Sequence, residues 1–191
     1  FSHYCLTNGL KFENEQYIFP KKSRIVYWKK RLAEVSDGPL IGISWKSPKV
    51  TPSRKGNYTS IADWRPLFDI KGPTFINLQS TEYEDDLDYF ETEYGAKVHH
   101  FKDLDHYDNL AEVAALCSAL DMTISIATAV STISAAVGTI TKIPTWKQSP
   151  WNNIIFTSRG PNVELYNRNS GETWDNVFSQ IKVDIENHFH I

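Results

Sequence analysis

Cysteine is scarce in this chain. Cys5 and Cys117 are the two present among 191 residues. Two thiols cannot make a disulfide framework, and their scarcity points to a reducing compartment. Long apolar runs are missing as well. The longest, Ile124 to Val137, is broken by Ser and Thr and is too short to span a bilayer, and no secretory signal pattern opens the sequence. Charge of one sign is not in excess: the formal net charge is -3 and the pI about 6.1. Whole-chain electrostatics therefore offers no pull toward nucleic acid or an anionic membrane. The common chemical signatures are also absent. Without GxGxxG a dinucleotide site is disfavoured, and without GxxxxGK[ST] there is no P-loop. No GxSxG elbow is present. Neither His-Glu-x-x-His nor Cys-x-x-Cys occurs, which argues against a zinc site. These absences predict a cytoplasmic protein with no metal, no nucleic-acid partner and no transmembrane segment.

What is present reads as a globular domain. Hydrophobic residues make up 41% and charged residues 23%, with 9 Gly and 9 Pro, which excludes disordered, collagen-like and coiled-coil chains. The first residue is Phe, so the chain is read as an excerpt of something longer. Residues 1–38 form a connecting segment. Within it Ile25, Trp28 and Leu32 take helical spacing amid Lys21, Lys22, Arg24, Lys29, Lys30 and Arg31, and Asp37-Gly38-Pro39 ends the helix.

Residues 39–191 change texture. Short apolar runs at Leu40–Trp45, Thr74–Leu78, Ala96–Phe101, Met122–Ile126, Ile140–Ile143 and Asn153–Thr157 predict strands. Between them lie helical patterns. Ser60 to Phe68 puts Ile61, Trp64, Leu67 and Phe68 on one face. Glu82 to Glu93 carries seven carboxylates, reads as a solvated helix and stops at Gly95. Asp108 is placed to cap a helix faced by Leu110, Val113, Ala114 and Cys117. Thr128 starts a helix of small residues that ends at Gly138. Trp174, Val177, Phe178, Ile181 and Ile185 stripe a closing helix. Alternation of this kind predicts an α/β fold: a Rossmann-like, doubly wound, mainly parallel sheet with helices on both faces.

In such a sheet, ligands bind beyond the C-terminal ends of the strands. Lys46 leads the only basic loop there, with Lys49, Arg54 and Lys55 behind it. Gln79 and Ser80 follow the second strand; Lys102, Asp103 and Asp105 follow the third. After the fourth come Ala127-Thr128-Ala129-Val130-Ser131-Thr132, a small-residue helix start whose free amides and dipole suit a phosphate. An ordinary capped, buried helix is the competing reading. His99 and His100 would point to opposite faces of a strand, so these and His106 suit surface or capping roles better than a metal.

The order of short signatures then points further. Ile41-Gly42-Ile43-Ser44-Trp45-Lys46 is followed by Phe75-Ile76-Asn77-Leu78-Gln79, Asp103-Leu104-Asp105 and Ala114 to Asp121. Ile124 to Val130, Ala135 to Gly138, Ser149-Pro150-Trp151, Leu165-Tyr166 and Glu172 to Asp175 complete the series. Together they resemble the C-terminal half of bacterial glycosyltransferases fused to tetratricopeptide repeats. That group is similar to the heptosyltransferases and to protein O-GlcNAc transferase, all of GT-B architecture. The resemblance covers about residues 20–190 and implies a donor-binding half that is inactive without its N-terminal half. The donor implied is a nucleoside diphosphate sugar, and the acceptor a protein or glycan. It implies Lys46 near the diphosphate, with Thr128, Ala129, Val130, Ser131 and Thr132 presenting amides and hydroxyls to the same phosphates, and Gln79 and Asp105 facing nucleoside or sugar. No metal or cofactor is implied, and no catalytic base is found. Two positions depart from the pattern: Ala127 stands where an Asp is usual, and Thr132 where a His is usual. They motivate a second reading, a degenerate transferase-like domain serving as a protein-interaction module. A third is an unrelated nucleotide-binding α/β domain, such as a sugar-nucleotide isomerase of the same shape.

Overall fold

A computed structural model describes residues 16–47, 56–146 and 161–191. Six strands make one sheet: β1 (Leu40–Ser44), β2 (Thr74–Asn77), β3 (Val98–His99), β4 (Met122–Ser125), β5 (Ile140–Trp146) and β6 (Val163–Arg168). Their spatial order is β3-β2-β1-β4-β5-β6, and every pairing is parallel. The helices are α1 (Lys22–Ala33), α2 (Arg65–Phe68), α3 (Glu84–Tyr94), α4 (Leu110–Cys117), α5 (Ala129–Ala136) and α6 (Trp174–Phe189). This is the doubly wound, Rossmann-like sheet expected from the alternation of apolar runs.

Parallel strands need cover on both faces, and two apolar clusters supply it. On one side Ile41, Ile43 and Phe75 pack with Trp64, Phe68, Phe90, Phe178 and Ile181, from α2, α3 and α6 and the 3-10 turn Ile61–Trp64 that leads into α2. On the other, Ile76 and Leu78 pack with Trp28, Leu32, Val113, Leu116 and Val130, from α1, α4 and α5. Gly42 faces this second cluster. A Cβ there would sit 2.5 Å from Leu78 Cδ1 and 2.7 Å from Leu120 Cδ1. The missing side chain is what lets those leucines close over β1.

Several ends differ from the sequence-based expectation. Asn109, not Asp108, caps α4, its side chain accepting from the Glu112 amide at 3.3 Å. The Asp108 amide is itself taken up by Asp105, so the cap falls one residue later. The third strand is two residues long rather than six, because only Phe75 and Ile76 face it in register. Ser60 to Phe68 divides into the 3-10 turn and α2, with Pro66 at the junction. Gly95 ends α3 in a left-handed conformation (φ 62°) and Gly138 follows α5 at φ 87°, as expected of both. The expected strand at Asn153–Thr157 lies outside the described residues. β6, at the sheet edge opposite β3, is not among the strands expected from the sequence.

α6 is fastened to the sheet by a polar cluster. Lys142 on β5 is buried, and its ammonium bonds the Glu164 carboxylate and, at 2.6 Å, the Tyr166 hydroxyl. That hydroxyl reaches Asp184 of α6 at 2.5 Å. Burial, with the two carboxylates adding to it, pushes the Tyr166 phenol far above its ordinary range, so it stays protonated and donates. Tyr166→Phe removes the shared oxygen and strips Lys142, Glu164 and Asp184 of one partner each. We expect a loss of about 1–3 kcal/mol of stability, read as a lower urea midpoint with an unchanged slope.

Candidate functional site

The strand order reverses between β1 and β4, and in open α/β sheets the crevice for a ligand lies beyond the C-terminal ends of the strands at such a point. Ser44 and Ser125 are register partners at that point, and the Ile126 amide donates to the Ser44 carbonyl at 3.1 Å. The chain leaves β1 through Trp45 and Lys46. It leaves β4 through Ala127 and enters α5 at Thr128. The two features the sequence ranks highest, Lys46 and the start of α5, therefore flank one crevice.

Beyond Ser44 the amides of Trp45 and Lys46 have no strand partner. Gln79 supplies one. Its Oε1 accepts from both amides at 3.2 Å and from the Ser44 hydroxyl at 3.1 Å. Its own amide donates to Asn77 Oδ1 at 2.8 Å. The side chain is 1% exposed. Gln79 thus holds the loop after β1 against β2, where the family resemblance implied contact with nucleoside or sugar.

The Lys46 ammonium is half-buried and pairs with Asp86 at 2.6 Å. The same carboxylate oxygen accepts from Trp45 Nε1, also at 2.6 Å. Asp86 belongs to the acidic run read as a solvated face, yet it is buried. Helical spacing carried the signal, since Asp86 and Phe90 lie four apart and are the two buried residues of α3.

At the start of α5, Thr128 is extended (φ -124°, ψ -178°) and makes no side-chain cap bond. Its hydroxyl pairs with Ser125 Oγ at 3.1 Å instead. The Ser131 and Thr132 hydroxyls turn back to the Thr128 carbonyl at 2.9 and 3.3 Å. Ala127 and Ala129 are exposed, Val130 and Ser131 are buried and Thr132 is exposed. The first-turn amides at Ala129, Val130 and Ser131 are left without a capping side chain, and α5 carries no charged residue. Such an end attracts an anion.

Asp105 uses its carboxylate within its own loop. It sits between β3, at the sheet's edge, and α4, and accepts from the Tyr107 and Asp108 amides at 2.9 Å each. Those amides, Asp108's foremost, hold its carboxyl below the usual range. No hydrogen bond or ion pair among the described residues joins Lys46 to α5 or Asp105 to either. Among the described residues no group of three or more His, Cys, Asp or Glu could hold a metal ion. No described helix is long and apolar enough to cross a membrane.

The histidines take structural positions behind this edge. His106 is buried, with Nδ1 2.9 Å from the Leu104 carbonyl and Nε2 3.1 Å from the Asn77 carbonyl. Asn77 Nδ2 donates to His100 Nδ1 at 2.9 Å, and the two imidazoles stack at 5.2 Å. Burial, outweighing two carbonyls that favour a charged ring, pushes the His106 pKa below its ordinary value. Burial likewise lowers His100, with His106 adding to it.

Comparison with known proteins places this arrangement. No family model matches the chain. Over 123 residues, 64% of its length, it is 31% identical to Protein FlbA of Caulobacter vibrioides, of which it spans 21%. The ADP-heptose lipopolysaccharide heptosyltransferase II of E. coli superposes with a TM-score of 0.62 at 15% identity, over 91% of this chain and 54% of that one. A glycosyl transferase of family 9 from Veillonella parvula gives 0.61 at 10% identity, over 87% and 46%. E. coli heptosyltransferase WaaC with ADP gives 0.54 at 13% identity, over 85% and 49%. The chain therefore spans about half the length of these structures and about a fifth of the curated relative. Its fold is that of one half of a GT-B glycosyltransferase.

The histidines generate a pH prediction. A buried imidazole with a lowered pKa binds fewer protons folded than unfolded below its ordinary value of about 6.5. Its contribution is complete above that value and is lost as pH falls through it toward the folded value. The paired carboxylates, Glu112 held down by Arg24 foremost and Asp103 by Arg31 foremost, act lower, below the ordinary carboxylate range. Urea midpoints should therefore fall in two steps on acidification, and His106→Gln should flatten the step between pH 7 and 5 while leaving the lower one.

Proposed function

We propose that this chain is the nucleotide-sugar-binding C-terminal half of a glycosyltransferase of the tetratricopeptide-linked group. The donor is a nucleoside diphosphate sugar and the acceptor a protein or a glycan, with the N-terminal half supplied by the same polypeptide. The reaction is cytoplasmic and uses no metal or organic cofactor. The observation that carries this reading is that Lys46 and the uncapped start of α5 follow β1 and β4, the adjacent strands at which the sheet order reverses. A fold shared with sugar transferases supports it.

The chemistry follows from charge. When the sugar leaves, negative charge grows on the departing diphosphate. A fixed cation and oriented amides stabilise it without reorganising. Gln79 serves indirectly by fixing the Lys46 amide, and Asp105 by shaping its own loop. Catalysis needs the other half of the cleft, so the chain alone binds donor without turning it over.

One observation favours a second reading, a transferase-like domain turned interaction module. The polar side chains of Gln79, Asp105, Ser131 and Thr132 all bond within the chain. Titration of the protein with UDP, GDP, ADP and CMP, by thermal shift and then calorimetry, separates the two. A ligand at about 100 times its dissociation constant adds about 2.7 kcal/mol to stability. We expect selective stabilisation by one nucleoside diphosphate, weakened about 1–3 kcal/mol in Lys46→Ala, the scale of a charged hydrogen bond. A full-length protein that binds no nucleotide at millimolar concentration, yet associates stably with a protein partner, would establish the interaction module instead.

A further inference from the structure

We infer that Asp86 is the positioning residue for Lys46, holding its ammonium at the mouth of the crevice so that its remaining N–H groups meet an incoming diphosphate. The inference rests on reading the crevice as a diphosphate site. It adds a residue from an element, α3, that this reading does not otherwise use.

Of the seven carboxylates between Glu82 and Glu93, Asp86 alone is buried. It stands in the first turn of α3, where the helix dipole favours a negative charge. Two neighbours in sequence converge on its Oδ2: Trp45 Nε1 and Lys46 Nζ, each at 2.6 Å. The indole is itself immobile. It is 1% exposed and packs edge-to-face on Phe90, with ring centroids 5.2 Å apart. Phe90 lies one turn along α3 from Asp86, so the helix fixes both the carboxylate and the ring that fixes the indole. The order of constraint therefore runs from Phe90 to Trp45, to Asp86, to Lys46.

A lysine side chain has four rotatable bonds, and freezing them weakens any contact it makes. Here the freezing precedes the ligand. An ammonium has three N–H donors, and Asp86 takes one. The Lys46 side chain keeps 31% of its surface exposed, so two donors remain for an anion without breaking the ion pair. A carboxylate that merely needed hydrogen bonds could be met by Trp45 and water. A bare salt link would not need the indole.

The test compares wild type with Lys46→Ala, Asp86→Asn, Trp45→Phe and Lys46→Ala/Asp86→Asn. Calorimetry measures binding of inorganic pyrophosphate and of ADP. Brief acetic anhydride labelling with peptide mass spectrometry measures the reactivity of the Lys46 amine against exposed Lys22, Lys29 and Lys30 in the same molecule. Asn can still accept the indole N–H, so Asp86→Asn removes the charge and not the packing. We expect it to raise relative acylation of Lys46 at least threefold and to weaken both anions 3- to 10-fold. Trp45→Phe keeps the carboxylate and loses its anchor, and should weaken them 2- to 3-fold. The double variant should bind as Lys46→Ala does, because Asp86 acts through Lys46.

Unchanged acylation in Asp86→Asn would overturn the inference. So would unchanged anion affinity in that variant while Lys46→Ala loses it. Tighter binding would overturn it too, and would make Asp86 a competitor of the ligand. Those results leave the diphosphate site standing. If wild type binds neither anion, or Lys46→Ala binds both as wild type does, the site reading fails and takes this inference with it.

Discussion

Where β1 runs out, the chain still presents two amides that no neighbouring strand can take. A buried amide left unpaired costs as much as a lost hydrogen bond. Gln79 Oε1 accepts both, together with the Ser44 hydroxyl. Its own position is set by Asn77, whose side chain also reaches His100 and whose carbonyl faces His106. The C-terminal edges of β1, β2 and β3 are thereby tied into one polar layer above two apolar clusters. Everything proposed for the crevice presumes this layer, because Trp45 and Lys46 begin their side chains from the backbone that Gln79 holds.

The rest of the fold answers a different requirement, cover for both faces of a parallel sheet. α2, α3 and α6 close one face with aromatic bulk. α1, α4 and α5 close the other with smaller residues, and Gly42 lets Leu78 and Leu120 approach. Charge follows the same division. Acidic side chains gather on the outer side of α3, while lysines gather on α1, where Arg24 and Arg31 lock onto Glu112 and Asp103. These surface pairs contribute little individually. They connect α1 to α4 and to the loop after β3, so the helix before β1 packs as part of the layer.

Much of this was legible in the sequence because it depends on local pattern. Apolar runs between glycine and proline stops gave β1, β2 and β4 and hence the switch point. Trp174, Val177, Phe178, Ile181 and Ile185 gave α6 through their spacing, and all five are buried. What was not legible depends on partners distant in sequence. β6 reads Val-Glu-Leu-Tyr-Asn-Arg, half-exposed at an edge, and becomes a strand through six register pairs with β5. Asp86 looks like one acid among seven until Trp45, 41 positions away, reaches it. Gln79 was singled out for standing after a strand, which was correct, but its side chain had a structural partner that position alone could not reveal. Asp105 shows the same limit. An Asp two residues before an amide-rich turn closes that turn before it can serve a ligand.

The two departures from the glycosyltransferase pattern, Ala127 and Thr132, take on a different weight once the charges are placed. Because Lys46 is paired with Asp86, an anion bound as proposed would depend on the start of α5 as well as on the ammonium. That helix end is worth roughly half a positive charge, and its effect falls off within a turn. A carboxylate at position 127 would stand beside those amides and cancel much of it. Alanine leaves them open, and Ala127 and Ala129 are both exposed. The acidic outer face of α3 and the chain's net charge of -3 act over longer distances and are screened beyond about 8 Å at physiological ionic strength. Loss of the side-chain contacts therefore does not amount to loss of the anion site. On the proposed reading the backbone of α5 would still supply that site, and the substitutions would remove side-chain contacts beside it.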